Sequence, residues 1–244
     1  MKSFLLALQF LTIIPARIKK IMPGDMARAV AYFPAIGLFL GLALWLTSHL
    51  LSLARIDPIP SNIILVALLI ILTGGLHLDG LADTSDAIFS GKGKADMLVI
   101  MRDPHVGVMG VLSIVSILML KIALISSMLL YTKGIAIVLM CASARWSMSF
   151  AVFAFPYARE DGKAKPFIDG TDRKIFFVST FIALVIVLII SRAAGLVILG
   201  ITAALAYLAN SFIKKKIGGI TGDTIGAVSE LIEVAVLFSI VIME

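Results

Sequence analysis

Long apolar runs, broken by short polar stretches rich in glycine, proline and charge, set the pattern of this chain. The first run, Phe4–Ile14, is shorter than the roughly 20 residues a helix needs to cross a bilayer. It is predicted to lie in the membrane interface or to dip into a bundle as a half-helix. Seven longer runs follow, at about Tyr32–Leu53, Asn62–Leu76, Gly107–Leu130, Ile135–Phe155, Ile175–Ile190, Ala194–Ala209 and Thr224–Met243. The expected fold is therefore all-α: a polytopic integral membrane bundle of about seven transmembrane helices plus the short N-terminal one. A single domain spanning residues 1–244 is expected.

Composition agrees with the pattern. Hydrophobic residues make up 60% of the chain and charged ones 15%, with a mean hydropathy of +1.08, far from a soluble domain. Met1–Pro15 has an apolar centre and an early lysine but no small-residue cleavage site, so it is expected to be retained rather than removed as a signal peptide. The one cysteine, Cys141, lies in an apolar run and permits no disulfide within the chain. A net charge of +6 could mark a nucleic-acid binder, but in a membrane chain excess Lys and Arg mark cytoplasmic loops, and no nucleic-acid partner is expected. Sixteen of the 21 Lys and Arg fall in Met1–Ala31, His77–Val106, Pro156–Lys174 and Asn210–Asp223, and only Arg55, Lys133 and Arg192 in the alternate loops. The first set is predicted to be cytoplasmic. The opposite loops are short, so chemistry is expected on the cytoplasmic face, with lipid as the surrounding partner.

The densest polar stretch follows an apolar run directly: Thr73-Gly74-Gly75-Leu76-His77-Leu78-Asp79-Gly80-Leu81-Ala82-Asp83-Thr84-Ser85-Asp86. In a helix, Asp83 lies about 40° round from Asp79 and Asp86 about 20° the other way, so all three acids share one face. Carboxylates this close repel unless a cation sits between them, and hard oxygen ligands suit Mg²⁺ or Mn²⁺, with phosphate oxygens and water completing the shell.

Three other stretches carry candidate chemistry. Ser90-Gly91-Lys92-Gly93-Lys94 fits closure over phosphates and a plain topology signal equally well. In Met101-Arg102-Asp103-Pro104-His105-Val106-Gly107, Pro104 precedes a helix start whose free N–H groups favour anions, with Arg102 placed for a bidentate grip on phosphate. In Gly218-Gly219-Ile220-Thr221-Gly222-Asp223-Thr224, glycines before a helix let backbone N–H groups approach an anion closely. Inside the spans, Arg145 is costly in hydrocarbon and calls for a partner; Glu230 and Glu233, on the helix face of Asp223, are the alternatives. Lys121 is expected to snorkel.

Taken together, Gly74–Ala87, Met101–Gly110, Arg145-Trp146 and Gly219–Ala227 resemble one family, the adenosylcobinamide-GDP ribazoletransferases or cobalamin synthases, in order and over the whole chain. Two departures stand beside these motifs, Ala87 in place of a glycine and Gly162-Lys163-Ala164 in place of Gly-Leu-Gly. The resemblance implies a Mg²⁺-dependent enzyme of the inner membrane that joins adenosylcobinamide-GDP to α-ribazole, or to its 5′-phosphate, and releases GMP. On that reading Asp79, Asp83 and Asp86 hold Mg²⁺, with Asp223 completing a second metal position. One of these acids or His77 serves as base. Arg102 and Arg145, with Lys92, hold phosphates beside the Gly219, Thr221 and Gly222 backbone. The oligomeric state is left open. Two alternatives are a CDP-alcohol phosphotransferase, which would carry Ala-Arg inside the acidic motif where this chain has Asp79-Gly80-Leu81-Ala82-Asp83, and a secondary transporter, which would place its polar groups at mid-bilayer with access from both faces.

Overall fold

The computed structural model describes residues 2–18, 20–162 and 164–244; Lys163, part of one departure from the family pattern, lies outside them. The described chain is helical with one isolated bridge, Tyr157 to Ile220. In order the helices are α1 (Lys2–Leu11), α2 (Asp25–Val30), α3 (Phe33–Leu53), α4 (Pro58–Thr73), α5 (Leu76–Phe89), α6 (Lys94–Ile100), α7 (Val108–Ser127), α8 (Leu130–Ala154), α9 (Lys165–Ile168), α10 (Arg173–Ile217) and α11 (Gly222–Met243).

Five of them, α3, α7, α8, α10 and α11, are long and apolar enough to cross a membrane. α10 runs for 45 residues but departs from helical geometry at Arg192, with φ 50° and ψ −131°. There the chain folds back on itself: a Cβ on Gly195 would strike the carbonyl of Val187, eight residues earlier, where a straight helix would hold the two about 12 Å apart. The predicted runs Ile175–Ile190 and Ala194–Ala209 are thus the two limbs of one broken helix, and Arg192 is the turn between them.

α8 is the axis. It is buried along most of its length, with α3, α10 and α11 packed around it. The approach of α3 is close because Gly37 and Gly41, one turn apart, lie directly on the α8 backbone at Cys141 and Val138, the packing that small residues permit in lipid. α7 and α10 turn large side chains such as Leu112, Met119, Phe177 and Ile189 outward, as helices apolar all round do in a bilayer.

One expectation needs correction. Lys133 belongs to no loop: α8 begins at Leu130, so Lys133 is in its first turns, buried, with its amine 3.2 Å from the Asn62 side-chain oxygen.

The acidic stretch is not a continuation of the span before it. Gly74 and Gly75 both sit in the left-handed region, φ 62° and 69°, which glycine adopts without the Cβ clash that hinders other residues. α5 therefore leaves α4 at 89° and lies across one end of the bundle. α1 joins it there, since the Ile13 N–H donates to the Leu72 carbonyl at 2.8 Å.

Candidate active site

α5 crosses α11 at Gly80. A Cβ there would come within 2.6 Å of the Asp223 carbonyl, so only glycine lets the helices meet this closely. The crossing brings Asp79 and Asp83 of α5 to Asp223 in the first turn of α11. Asp79 is exposed and Asp83 half-buried. Burial first, then the charges of Asp79 and Asp223, push the Asp83 carboxyl up to about 7. Packing like charges this way is unfavourable without a compensating cation. Asp223 pairs with Arg159, whose Nη1 lies 2.9 Å from its Oδ2. Among the described residues no three His, Cys, Asp or Glu side chains stand close enough together to enclose a metal ion. The donor set nonetheless fits one in kind: hard carboxylate oxygens from two helices.

Asp86 shares the helical face but serves a different end. Its Oδ2 accepts from Gly107 N–H at 2.7 Å and its Oδ1 from Gly110 N–H at 2.8 Å. It thereby caps α7, whose first-turn N–H groups have no partner within the helix. The helix start after Pro104 is thus occupied by the Asp86 carboxylate, which still lies near enough to act on the charge of Asp83.

Beneath the crossing lies a knot of buried charge. Lys121 on α7 donates to Glu230, at 2.6 Å, and to Glu233, both on α11. Arg145 on α8, fully buried, donates to Glu233. Arg145 also places Nη2 3.4 Å from Nδ1 of His77 at the start of α5. Of the two predicted partners of Arg145, the structure selects Glu233. Lys121 does not snorkel but completes the balance of two cations and two carboxylates. Arg145 is thus engaged with Glu233 and reaches His77 on α5.

The flanking loops also rearrange the expected roles. Arg102 pairs with Asp161 at the surface, both exposed, where such a pair contributes little. Lys92 stands on an exposed turn, whereas the Lys94 amine lies against Gly218 and so reaches the glycine loop. Gly219 is held in the backbone pairing of Ala158 and Pro156 with Ile220, 2.8 Å in each direction. Thr221 caps α11 in a reciprocal bond with Thr224, fully buried; its hydroxyl is thereby committed. Gly222, at the first helical position, remains exposed.

A cavity of about 150 Å³ opens beside the crossing, lined by Asp79, Gly222, His77, Phe10, Phe33 and Phe167 among others. A larger groove of about 600 Å³ lies at the opposite end, between Trp45, Tyr131 and Ile189; it has no carboxylate and no link to the crossing.

A family model described as cobalamin-5-phosphate synthase matches residues 3–241. The chain belongs to this family. Proteins named adenosylcobinamide-GDP ribazoletransferase resemble it over nearly their whole length. That of Desulforamulus reducens is 36% identical over 98% of this chain and 96% of its own. That of Acinetobacter baumannii is 37% identical over 99% and 98%, and that of Geotalea daltonii 34% over 99% and 97%. No solved structure matches the chain.

Within this synthase family member, sequence reasoning passes over Arg159, Lys121 and the aromatic wall. Charge balance is an available signal for Lys121, because Glu230 and Glu233 need two cations and Arg145 supplies one. Arg159 reads as one more surface arginine in Tyr157-Ala158-Arg159, and nothing local marks its burial.

The knot makes a direct prediction. Arg145→Met alone leaves Glu233 short of a cation in a closed interior, which typically costs ~3–5 kcal/mol, and should lower the melting temperature in detergent sharply. Because Lys121 bonds both glutamates, adding either Glu233→Gln or Glu230→Gln leaves it with one carboxylate and should restore most of that loss. Recovery with neither glutamine would contradict the pairing.

Proposed function

We infer that the chain works in cobalamin synthesis as an adenosylcobinamide-GDP ribazoletransferase. Family membership supplies the reaction class, and the convergence of Asp79, Asp83 and Asp223 at the α5–α11 crossing is the observation that carries the site. The transporter and CDP-alcohol phosphotransferase readings give way to that membership.

In this reading a ribose hydroxyl of α-ribazole, or of its 5′-phosphate, forms a new oxygen–phosphorus bond at the cobinamide-linked phosphate. The bond from that phosphorus to the bridging oxygen breaks, GMP leaves with that oxygen, and the hydroxyl proton passes to a carboxylate of the cluster. Asp79, Asp83 and Asp223 would hold Mg²⁺, whose charge stabilises the pyrophosphate oxygens as the bond breaks. Arg159 fits a role on those same phosphates. Nη1 engages Asp223, while Nε and Nη2 are shielded and lack a partner among the described residues, donors that a phosphate satisfies in a planar, two-pronged contact. Lys94, against the glycine loop, adds positive charge nearby.

We place the site on the cytoplasmic face of the inner membrane, from the distribution of Lys and Arg. In a Cys141→Ser background, a cysteine at Glu160 should then react with a membrane-impermeant reagent only from the inside and one at Asp57 only from the outside. The opposite pattern would overturn the orientation.

The activity itself is tested with purified protein in detergent, adenosylcobinamide-GDP, α-ribazole and Mg²⁺, scoring GMP release. Wild type should turn over, and Asp83→Asn should lose about a hundredfold or more, as when several kcal/mol of charge stabilisation are removed. No release by folded wild-type protein would refute the reaction, and near-normal release by Asp83→Asn would refute the site.

A further inference from the structure

The cavity beside the crossing has a form that the transfer chemistry alone does not require. Three phenylalanines from three helices make one wall. Phe10 of α1 lies 4.2 Å from Phe167 of α9, centroid to centroid, and Phe33 of α3 lies 6.0 Å from each. Aromatic faces at such separations are the surfaces on which a flat ring packs. His77 also lines the cavity, only 2% exposed, and its Nε2 has no partner among the described residues. Its protonation state follows from its neighbour. A guanidinium can only donate, so Nδ1 facing Arg145 is the acceptor and the proton sits on Nε2. His77 therefore lines the cavity and carries a buried, unused N–H donor.

Size narrows the occupant. At about 150 Å³ the space is well below the several hundred that enclose a whole drug-sized ligand. It admits a compact ring system and excludes a nucleotide or a corrin. Asp79 and Gly222 at its edge put anything attached to that ring beside the carboxylates.

We propose that this cavity is the acceptor subsite: it takes the aromatic base of the ribazole, ring against Phe10, Phe33 and Phe167, with the base's unsubstituted ring nitrogen accepting from His77 Nε2–H. The ribose then emerges at Asp79, where its hydroxyl is to react. The proposal rests on the transferase reading above and assigns what that reading leaves open, namely which residues select the base. It also gives α1 and α9 a purpose, since these short elements close the cavity and take no part in the carboxylate crossing. His77 is thus a specificity-determining residue and not the base of the reaction.

Two variants keep the test independent of folding damage. Ala164, at the cavity wall, fills the space when changed to leucine and removes no packing; Phe167→Leu removes part of the aromatic wall. Both should raise the KM for α-ribazole about tenfold or more and leave the KM for adenosylcobinamide-GDP unchanged. His77→Phe should abolish discrimination between α-ribazole and its indole analogue, which lacks the accepting nitrogen and which wild type should bind about tenfold more weakly. A separate arm uses free 5,6-dimethylbenzimidazole in equilibrium dialysis against detergent-solubilised protein. Wild type and Asp83→Asn should bind it alike, and Ala164→Leu should not, whether or not GMP is released. Failure of GMP release with this binding intact would sink the reaction and leave the subsite standing. Binding unaffected by Ala164→Leu, or a KM rise confined to adenosylcobinamide-GDP, would overturn the subsite.

Discussion

Four charges in the membrane interior govern how this bundle is assembled. Lys121, Arg145, Glu230 and Glu233 come from α7, α8 and α11, and each alone would be costly to bury in hydrocarbon. Together they are neutral, and nearly every position other than the observed one would leave a charge without its counterion. The knot therefore restricts the rotation and register of three helices at once, a service distinct from raw stability, which an apolar substitute could supply as well. Through Arg145 and His77 the same constraint reaches α5, the helix that carries Asp79 and Asp83.

The second constraint is the break between α4 and α5. Because the chain turns by 89° at Gly74-Gly75, α5 is a short helix lying across the end of the bundle. Its apolar side, Leu78 and Leu81, packs with Ile117 and Ala227, and its acidic side is left toward water. Both ends of α5 are then fixed, one by His77 against Arg145 and the other by Asp86 on the start of α7. A helix pinned in this way can hold carboxylates near one another against their repulsion, which is what a preorganised cation and phosphate site requires.

The apolar runs, the helical acidic face and the need of Arg145 for a carboxylate are legible in the sequence because each follows from local pattern and the cost of burial. Less legible is anything settled by which helix stands next to which. Asp86 and Asp83 are indistinguishable in the sequence, and only the approach of Gly107 and Gly110 shows that Asp86 caps α7. Arg159 and Arg102 read alike as basic loop residues, yet one is sheltered against Asp223 and the other pairs in solvent with Asp161. Phe10, Phe33 and Phe167 are scattered over three elements and look like ordinary core residues until the fold gathers them. Lys121 misleads for a simpler reason: a long stem permits snorkelling, but two carboxylates on α11 make a stronger claim on its charge.

If the knot positions α5, removing its Arg145 limb should loosen that helix even when charge balance is kept. Amide hydrogen exchange in the Arg145→Met, Glu233→Gln double variant, which retains Lys121 with Glu230, measures this directly. Exchange across Leu76–Asp83 should rise on the order of tenfold over wild type, with α3 unchanged, the signature of local rather than global opening. Wild-type protection of Leu76–Asp83 in that variant would show that α5 is held without the buried charges, and the knot would then not be what positions the carboxylates.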